Sequence, residues 1–338
     1  MADGQTAARD RMARSYDDLM GCSGEPVGGR IESDGVGVAW LDWGGFGDAL
    51  VLLHPNGFCA GVYDPLARRL ASGHRVIGID LRGHGDSDDV VDPMLLGNDV
   101  MASDALAVLE HLGIDRFAVV GVSSGGAVGG EMAAVVPDRV TALVLCEAVA
   151  IDARVREDQL FGFMDGPDGP VHPLAAGARR RRDVWDDRAA VRASYGSRSP
   201  LDELHHDTLA GYVRWGFRDR PDGRVELSCR PETEAQIFGS TERHGPAESF
   251  EALRRVAADG RVPAAVLVGS TTDLDREWFR GQAEVLGVDI EVVDGGHFFL
   301  FEDVDRGVRL IEEHLRNLGN QLPDGPGEAD DTVEGETD

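Results

Sequence analysis

Gly121-Val122-Ser123-Ser124-Gly125 follows the apolar run Phe117-Ala118-Val119-Val120 and precedes a stretch of small residues, Gly126, Ala127, Gly129, Gly130, Ala133 and Ala134. The apolar run predicts a strand, and the small residues predict a helix that packs close against it. Strand, G-x-S-x-G and helix in that order make a nucleophile elbow. The turn is tight enough to strain the serine backbone, and glycine two residues to either side relieves the crowding. Such a turn lifts the Ser123 hydroxyl above the sheet and sets the Ser124 N–H beside it. Ser124 fits the elbow position less well, because Val122 would then stand where glycine is needed. A serine hydroxyl is a weak nucleophile by itself, so the motif predicts a base and an orienting acid farther along the chain.

Outward from the elbow, strand and helix signals alternate. Asp34-Gly35 predicts the turn of a hairpin over 29–43. Strands are expected at 48–54, 75–80, 117–121 and 140–147, with helices at 62–71, 98–112 and 124–136. After an interruption the rhythm resumes: helix 247–258, strand 263–269, helix 275–286, strand 288–293 and helix 303–317. The pattern predicts an α/β fold with a mostly parallel sheet covered on both faces. Between 149 and 245 no convincing strand is found; Arg/Asp-rich helical stretches carry Phe161, Phe163, Trp185, Tyr195, Tyr212, Trp215, Phe217 and Phe238.

Five stretches in this order resemble the α/β-hydrolase superfamily. Val51-Leu52-Leu53-His54-Pro55-Asn56-Gly57-Phe58 is similar to the strand and oxyanion turn of that family. Asp80-Leu81-Arg82-Gly83-His84-Gly85-Asp86-Ser87 resembles its next turn, and the elbow follows. Val266-Leu267-Val268-Gly269-Ser270-Thr271-Thr272-Asp273 resembles the segment that presents the acid, and Gly295-Gly296-His297-Phe298 the turn that presents the base. The resemblance runs from the mid-twenties to about residue 319 and implies a doubly wound sheet with an inserted helical cap. The expected organisation is a mobile segment at 1–24, core at 25–148, cap at 149–245, core again at 246–319, and a disordered acidic tail at 320–338. The tail expectation has a compositional basis: from Pro323 there are seven acidic residues, no basic one, and little apolar surface to bury.

The resemblance implies a triad of Ser123, His297 and Asp273. His297 is the one histidine of ten in a glycine turn after the last predicted strand. Asp273 stands four residues after Gly269, where the family commonly has three; Asp275 is the alternative, although its place before Arg276-Glu277-Trp278 suits a helix cap. The oxyanion donors implied are the N–H groups of Asn56 and Ser124. Pro55 stands where the family usually has glycine, but its nitrogen is not the donor required.

Other side chains have plainer readings. His84 reads as structural, and His111 as a cation suited to a last helical turn. His205-His206 have no third ligand at useful sequence spacing, so no metal is expected. Cys59 and Cys146 read as small buried hydrophobes, and Arg179-Arg180-Arg181-Arg182 as a solvated helix face rather than an anion site. Trp215 and Phe217 are the candidates for the pocket wall, with a place in the cap's own core weighed about equally.

Composition narrows the function classes. The 338 residues carry a formal charge of −28, and all 33 basic residues are arginine. So acidic a chain repels nucleic acid and anionic membranes. The first twenty residues lack the apolar centre of a secretory signal, and no apolar run reaches the length of a membrane helix. The four cysteines show no metal spacing. A cytoplasmic enzyme acting on a small molecule is expected, with no cofactor. The resemblance implies ester hydrolysis or a related acyl transfer through an acyl-serine. Haloperoxidase-like chemistry, carbon–carbon bond hydrolysis and ligand sensing remain as alternatives on the same residues.

Overall fold

The order of the strands in space explains how five distant motifs meet. A computed structural model describes residues 24–154, 164–166, 169–239 and 245–321. The expected mobile start and acidic tail lie almost wholly outside these residues, as do Phe161 and Phe163. Strands β1 (Val27–Ser33) and β2 (Val36–Gly44) form the expected hairpin. Its turn places Asp34 at φ 47° and Gly35 at φ 77°, the left-handed pair that matches the twist of the flanking strands. The main sheet continues through β3 (Ala49–Leu53), β4 (Arg75–Ile79), β5 (Phe117–Val122) and β6 (Val140–Cys146). Eight strands in all have the order β1-β2-β4-β3-β5-β6-β12-β13, with β12 at Ala264–Gly269 and β13 at Ile290–Val293. From β4 to β13 every pairing is parallel.

Burial on both faces accounts for the unbroken apolar strands. Successive residues of β3 alternate between two cores: Leu50 and Leu52 face one, Val51 and Leu53 the other. Helices α1 (Asp64–Leu70) and α11 (Val304–Gly319) close the first core through Leu66 and Ile311. Helices α2 (Asn98–His111), α3 (Ser124–Val135), α8 (Pro246–Asp259) and α9 (Arg276–Leu286) close the second through Val108, Val128, Phe250 and Phe279. Helix α10 (Phe299–Glu302) is a single turn ahead of α11.

The chain between β6 and α8 forms the insertion. It holds α4 (Pro173–Arg179), α5 (Arg188–Tyr195), α6 (His206–Trp215) and α7 (Pro231–Gly239). It also contains strands, which the sequence reading did not find. β7 (Met164–Gly166) pairs with β8 (Gly169–Val171), and β10 (Phe217–Asp219), β11 (Val225–Leu227) and β9 (Val184–Trp185) form a three-stranded antiparallel sheet. Each is two or three residues long, too short for a period-two pattern to show in the sequence.

Candidate active site

Ser123 sits between the end of β5 and the start of α3 with φ 56° and ψ −120°. This is the strained conformation expected of the elbow. The crowding is visible on both sides. A Cβ on Gly121 would run into the Gly125 carbonyl, and one on Gly125 would run into the Leu53 carbonyl. The Ser123 N–H donates to the Cys146 carbonyl at 3.0 Å, tying the elbow to the end of β6. Ser124 opens α3, so its N–H has no carbonyl one turn back within the helix to receive it.

Directly after β6 stands Glu147, fully buried and at φ 50°. Its carboxylate accepts three hydrogen bonds: from the Gly269 N–H at 2.7 Å, from Thr272 Oγ1 at 2.6 Å, and from His297 Nδ1 at 2.8 Å. An ionised carboxylate only accepts, so Nδ1 carries the imidazole proton and Nε2 is left as an acceptor. This corrects the sequence reading. The partner of His297 is Glu147, not Asp273 or Asp275. Thr272, three residues after Gly269, stands at the position customary for the acid and binds Glu147 instead. Asp273 comes one residue later; it lines the cavity but is exposed. Asp275 accepts the Glu277 N–H at 2.9 Å as the cap of α9, the role its flanking sequence suggested.

Ser123, Ser124, Asn56 and His297 all line one cavity of about 430 Å³. Its wall is mostly apolar, with Phe58, Phe298, Leu274 and Trp278 from the core. Leu174, Ile237 and Phe238 come from the insertion. Trp215 and Phe217 do not contribute. Phe217 is buried against Tyr195 and Tyr212, with ring centres 6.1 and 6.0 Å away, and Trp215 lies over Gly61, where even a Cβ would collide with its indole. Trp215 thus packs between insertion and core, and Phe217 packs among the aromatics of the insertion itself. Of the aromatic run 212–217, Tyr212 lines the cavity, while Trp215 and Phe217 are packing residues.

The turn after β3 is held by two buried histidines. His84 Nε2 accepts the Gly57 N–H at 3.0 Å and His54 Nε2 accepts the Leu81 N–H at 3.0 Å. Burial depresses both imidazoles; His84 is lowered to about 4. Each is therefore neutral, which an accepting Nε2 requires. One arginine of the 179–182 run also departs from expectation. Arg181 turns inward, pairs with Glu234, and donates to Tyr195 Oη at 3.0 Å and Tyr212 Oη at 2.8 Å. Burial raises the Glu234 carboxyl while Arg181 opposes the shift. Cys59 and Cys146 are fully buried and take no part in the cavity wall.

Among the described residues, His205, His206 and Asp207 bring potential ligand atoms within 4.8 Å of one another. Asp207 is thus the third group that sequence spacing had not revealed. The cluster lies at the start of α6, where His205 Nδ1 accepts the Asp207 N–H at 3.3 Å as a helix cap. No helix among the described residues is long and apolar enough to cross a membrane.

Comparison with known proteins agrees with the fold. The model of the alpha/beta hydrolase fold matches residues 48–181. A dihydrolipoyllysine-residue acetyltransferase component of the acetoin cleaving system from Cupriavidus necator is 30% identical over 287 residues, 83% of this chain and 67% of that protein. The chain belongs to the α/β-hydrolase family. A second relative, 3-oxoadipate enol-lactonase 1 of Acinetobacter baylyi, is 24% identical over 281 residues, 80% of this chain and 89% of the relative. In structure, the E-2-(acetamidomethylene)succinate hydrolase superposes with a TM-score of 0.68, covering 86% of this chain and 99% of that one at 19% identity. That likeness shows a shared fold over most of this chain.

The residue that sequence reasoning missed is Glu147. A signal was present: a carboxylate follows the apolar run Leu143-Val144-Leu145-Cys146 at a strand end, beside the strand that carries the elbow.

Proposed function

We propose that this α/β-hydrolase cleaves an ester, or transfers a related acyl group, through an acyl-serine intermediate on Ser123. The observation that carries the reading is the 2.8 Å contact between His297 Nδ1 and Glu147, on the cavity that holds the strained serine. In the first step His297 Nε2 takes the Ser123 proton while Oγ attacks the substrate carbonyl carbon. The carbonyl electron pair moves to oxygen, and the Asn56 and Ser124 N–H groups stabilise that charge. Collapse of the intermediate expels the alcohol, which receives its proton from His297. Water then enters, His297 removes a proton from it, and the acid leaves with Ser123 restored. Glu147 steadies the imidazolium formed in each half-reaction without itself taking the proton. The insertion serves as a cap, and its apolar contribution to the wall favours an uncharged acyl or alcohol group of modest size. The lactonase likeness points to the same class of carbonyl chemistry. A soluble cytoplasmic enzyme acting on a small organic ester fits the acidic surface.

The test is turnover of p-nitrophenyl esters of graded acyl length, together with peptide mapping after a fluorophosphonate probe. Multiple turnovers and a label on Ser123 are expected. Label on Ser124, or one acylation with no further cycle, would overturn the reading; the second outcome describes a ligand sensor.

A further inference from the structure

The turn that carries Asn56 is fastened from two sides. On the core side, His54 Nδ1 lies 2.8 Å from the Pro55 carbonyl, and His84 Nε2 accepts the Gly57 N–H. On the other side every fastening comes from the insertion. Asn56 Nδ2 donates to the Glu234 carbonyl at 3.0 Å, and Tyr212 Oη donates to the Gly57 carbonyl at 2.8 Å. Arg181 and Glu234 lie directly on the turn: a Cβ on Gly57 would stand 2.8 Å from the Glu234 carboxyl carbon and 3.0 Å from Arg181 Nη1.

We infer that Tyr212, Arg181 and Glu234 are positioning residues for the turn Pro55–Gly57, so that the insertion sets the aim of the Asn56 donor as well as covering the cavity. The inference rests on the acyl-transfer reading above. The hydrogen bonds form a directed chain. Arg181 Nη2 only donates, so it occupies a lone pair of the Tyr212 hydroxyl and leaves that proton for the Gly57 carbonyl. Glu234 neutralises Arg181, whose charge would otherwise be buried without a counterpart. The three residues come from α6, from the segment after α4, and from α7, so separate elements converge on one turn.

Two rival roles are less consistent with the contacts. Arg181 lines the cavity, but an anchor for an anionic substrate needs uncompensated positive charge, and its guanidinium is already paired with Glu234 while it donates to Tyr195 and Tyr212. A purely stabilising role is a weak use for a buried ion pair, since apolar groups of similar size often serve stability as well or better. A donor that stabilises an oxyanion, in contrast, depends on placement within a fraction of an ångström.

The test compares the full-length protein with Tyr212→Phe and Arg181→Met. Tyr212→Phe keeps the ring against Phe58, whose centre is 4.7 Å away, and removes only the hydroxyl. Three readouts are taken: the rate of fluorophosphonate labelling at Ser123, kcat and KM on p-nitrophenyl acetate, and inhibition by a trifluoromethyl ketone, which mimics the tetrahedral intermediate. The expected result is a fall of about ten- to hundred-fold in labelling rate and kcat in both variants. The KM should stay within about two-fold, and inhibitor affinity should weaken by a similar factor to kcat. Wild-type rates in Tyr212→Phe would overturn the inference, as would a rise in KM on p-nitrophenyl acetate with kcat unchanged. If Arg181→Met fails to fold, Tyr212→Phe alone decides. A wild-type protein that is not labelled at Ser123 removes the acyl-transfer reading and this inference together. Wild type labelled, with Tyr212→Phe labelled equally fast, removes this inference alone.

Discussion

His297 Nδ1 and the Glu147 carboxylate lie 2.8 Å apart although 150 residues separate them in the chain. The contact forms because β6 ends next to β5 on one side and β12 on the other, while His297 follows β13. Glu147 therefore emerges at the same edge of the sheet as Ser123 and the turn after β12. Its carboxylate is fixed by the Gly269 N–H and the Thr272 hydroxyl before the imidazole is counted.

Glu147→Gln should lower kcat on an ester substrate by about three to four orders of magnitude, because the amide no longer selects the Nδ1–H tautomer or balances the imidazolium. Asp273→Asn should change kcat by less than about three-fold, since its exposed side chain does not hold His297. Steady-state kinetics on both variants checks the pair. The opposite ranking would return the role to Asp273.

Phe217→Ala should destabilise the protein by about 3–5 kcal/mol, with Trp215→Ala costing less because the indole is only partly buried. Neither should reorder the preference among acyl chain lengths. Phe238→Ala, on the cavity wall, should reorder it. Urea unfolding beside an ester panel separates the two kinds of effect.

His84 gives a pH signature. Its folded imidazole is lowered to about 4 by burial, from 6.5. Between those values the unfolded chain binds a proton that the folded one does not, so stability rises with pH across that window. The contribution is complete above about pH 6.5, and about 3 kcal/mol of it is lost as pH falls to 4. Asp80, raised to about 7 chiefly by burial, acts in the reverse direction over much of the same range. The measurement is thus the difference between wild type and His84→Gln. Glutamine can accept the Gly57 N–H but does not titrate, so its unfolding free energy should fall less steeply between pH 6.5 and 4. Parallel curves would show that His84 carries no such linkage.

Gly125→Ala should abolish activity and lower stability together. The added methyl meets the Leu53 carbonyl, a backbone atom that cannot move aside without disturbing β3. Overpacking of this kind costs about 1–3 kcal/mol. Circular dichroism melting with fluorophosphonate labelling would show both effects. An active, wild-type-stable variant would mean that the elbow tolerates a Cβ.

The core strands were legible in the sequence because both of their faces are buried, which leaves unbroken apolar runs such as Ala49–Leu53 and Phe117–Val122. The hairpin was legible through Asp34-Gly35, and the elbow through two glycines that no other residue could replace without a clash. The small sheets of the insertion were not, since strands of two or three residues carry no period. The aromatic run at 212–217 was ambiguous in principle, because core packing and a ligand wall draw on the same residue types.

What the sequence by itself determined, then, is the fold and the two turns that carry Ser123 and His297, because the residues of each turn dictate its local shape. The identity of the histidine's partner and the fastening of the Asn56 turn were decided only by tertiary structure. Glu147 reaches His297 because β6, β12 and β13 are neighbours in the sheet. Arg181, Tyr212 and Glu234 reach Gly57 because the insertion folds back over the core. Both are contacts between segments remote in sequence, and no local pattern of residues encodes which remote carboxylate or hydroxyl will arrive at a given atom.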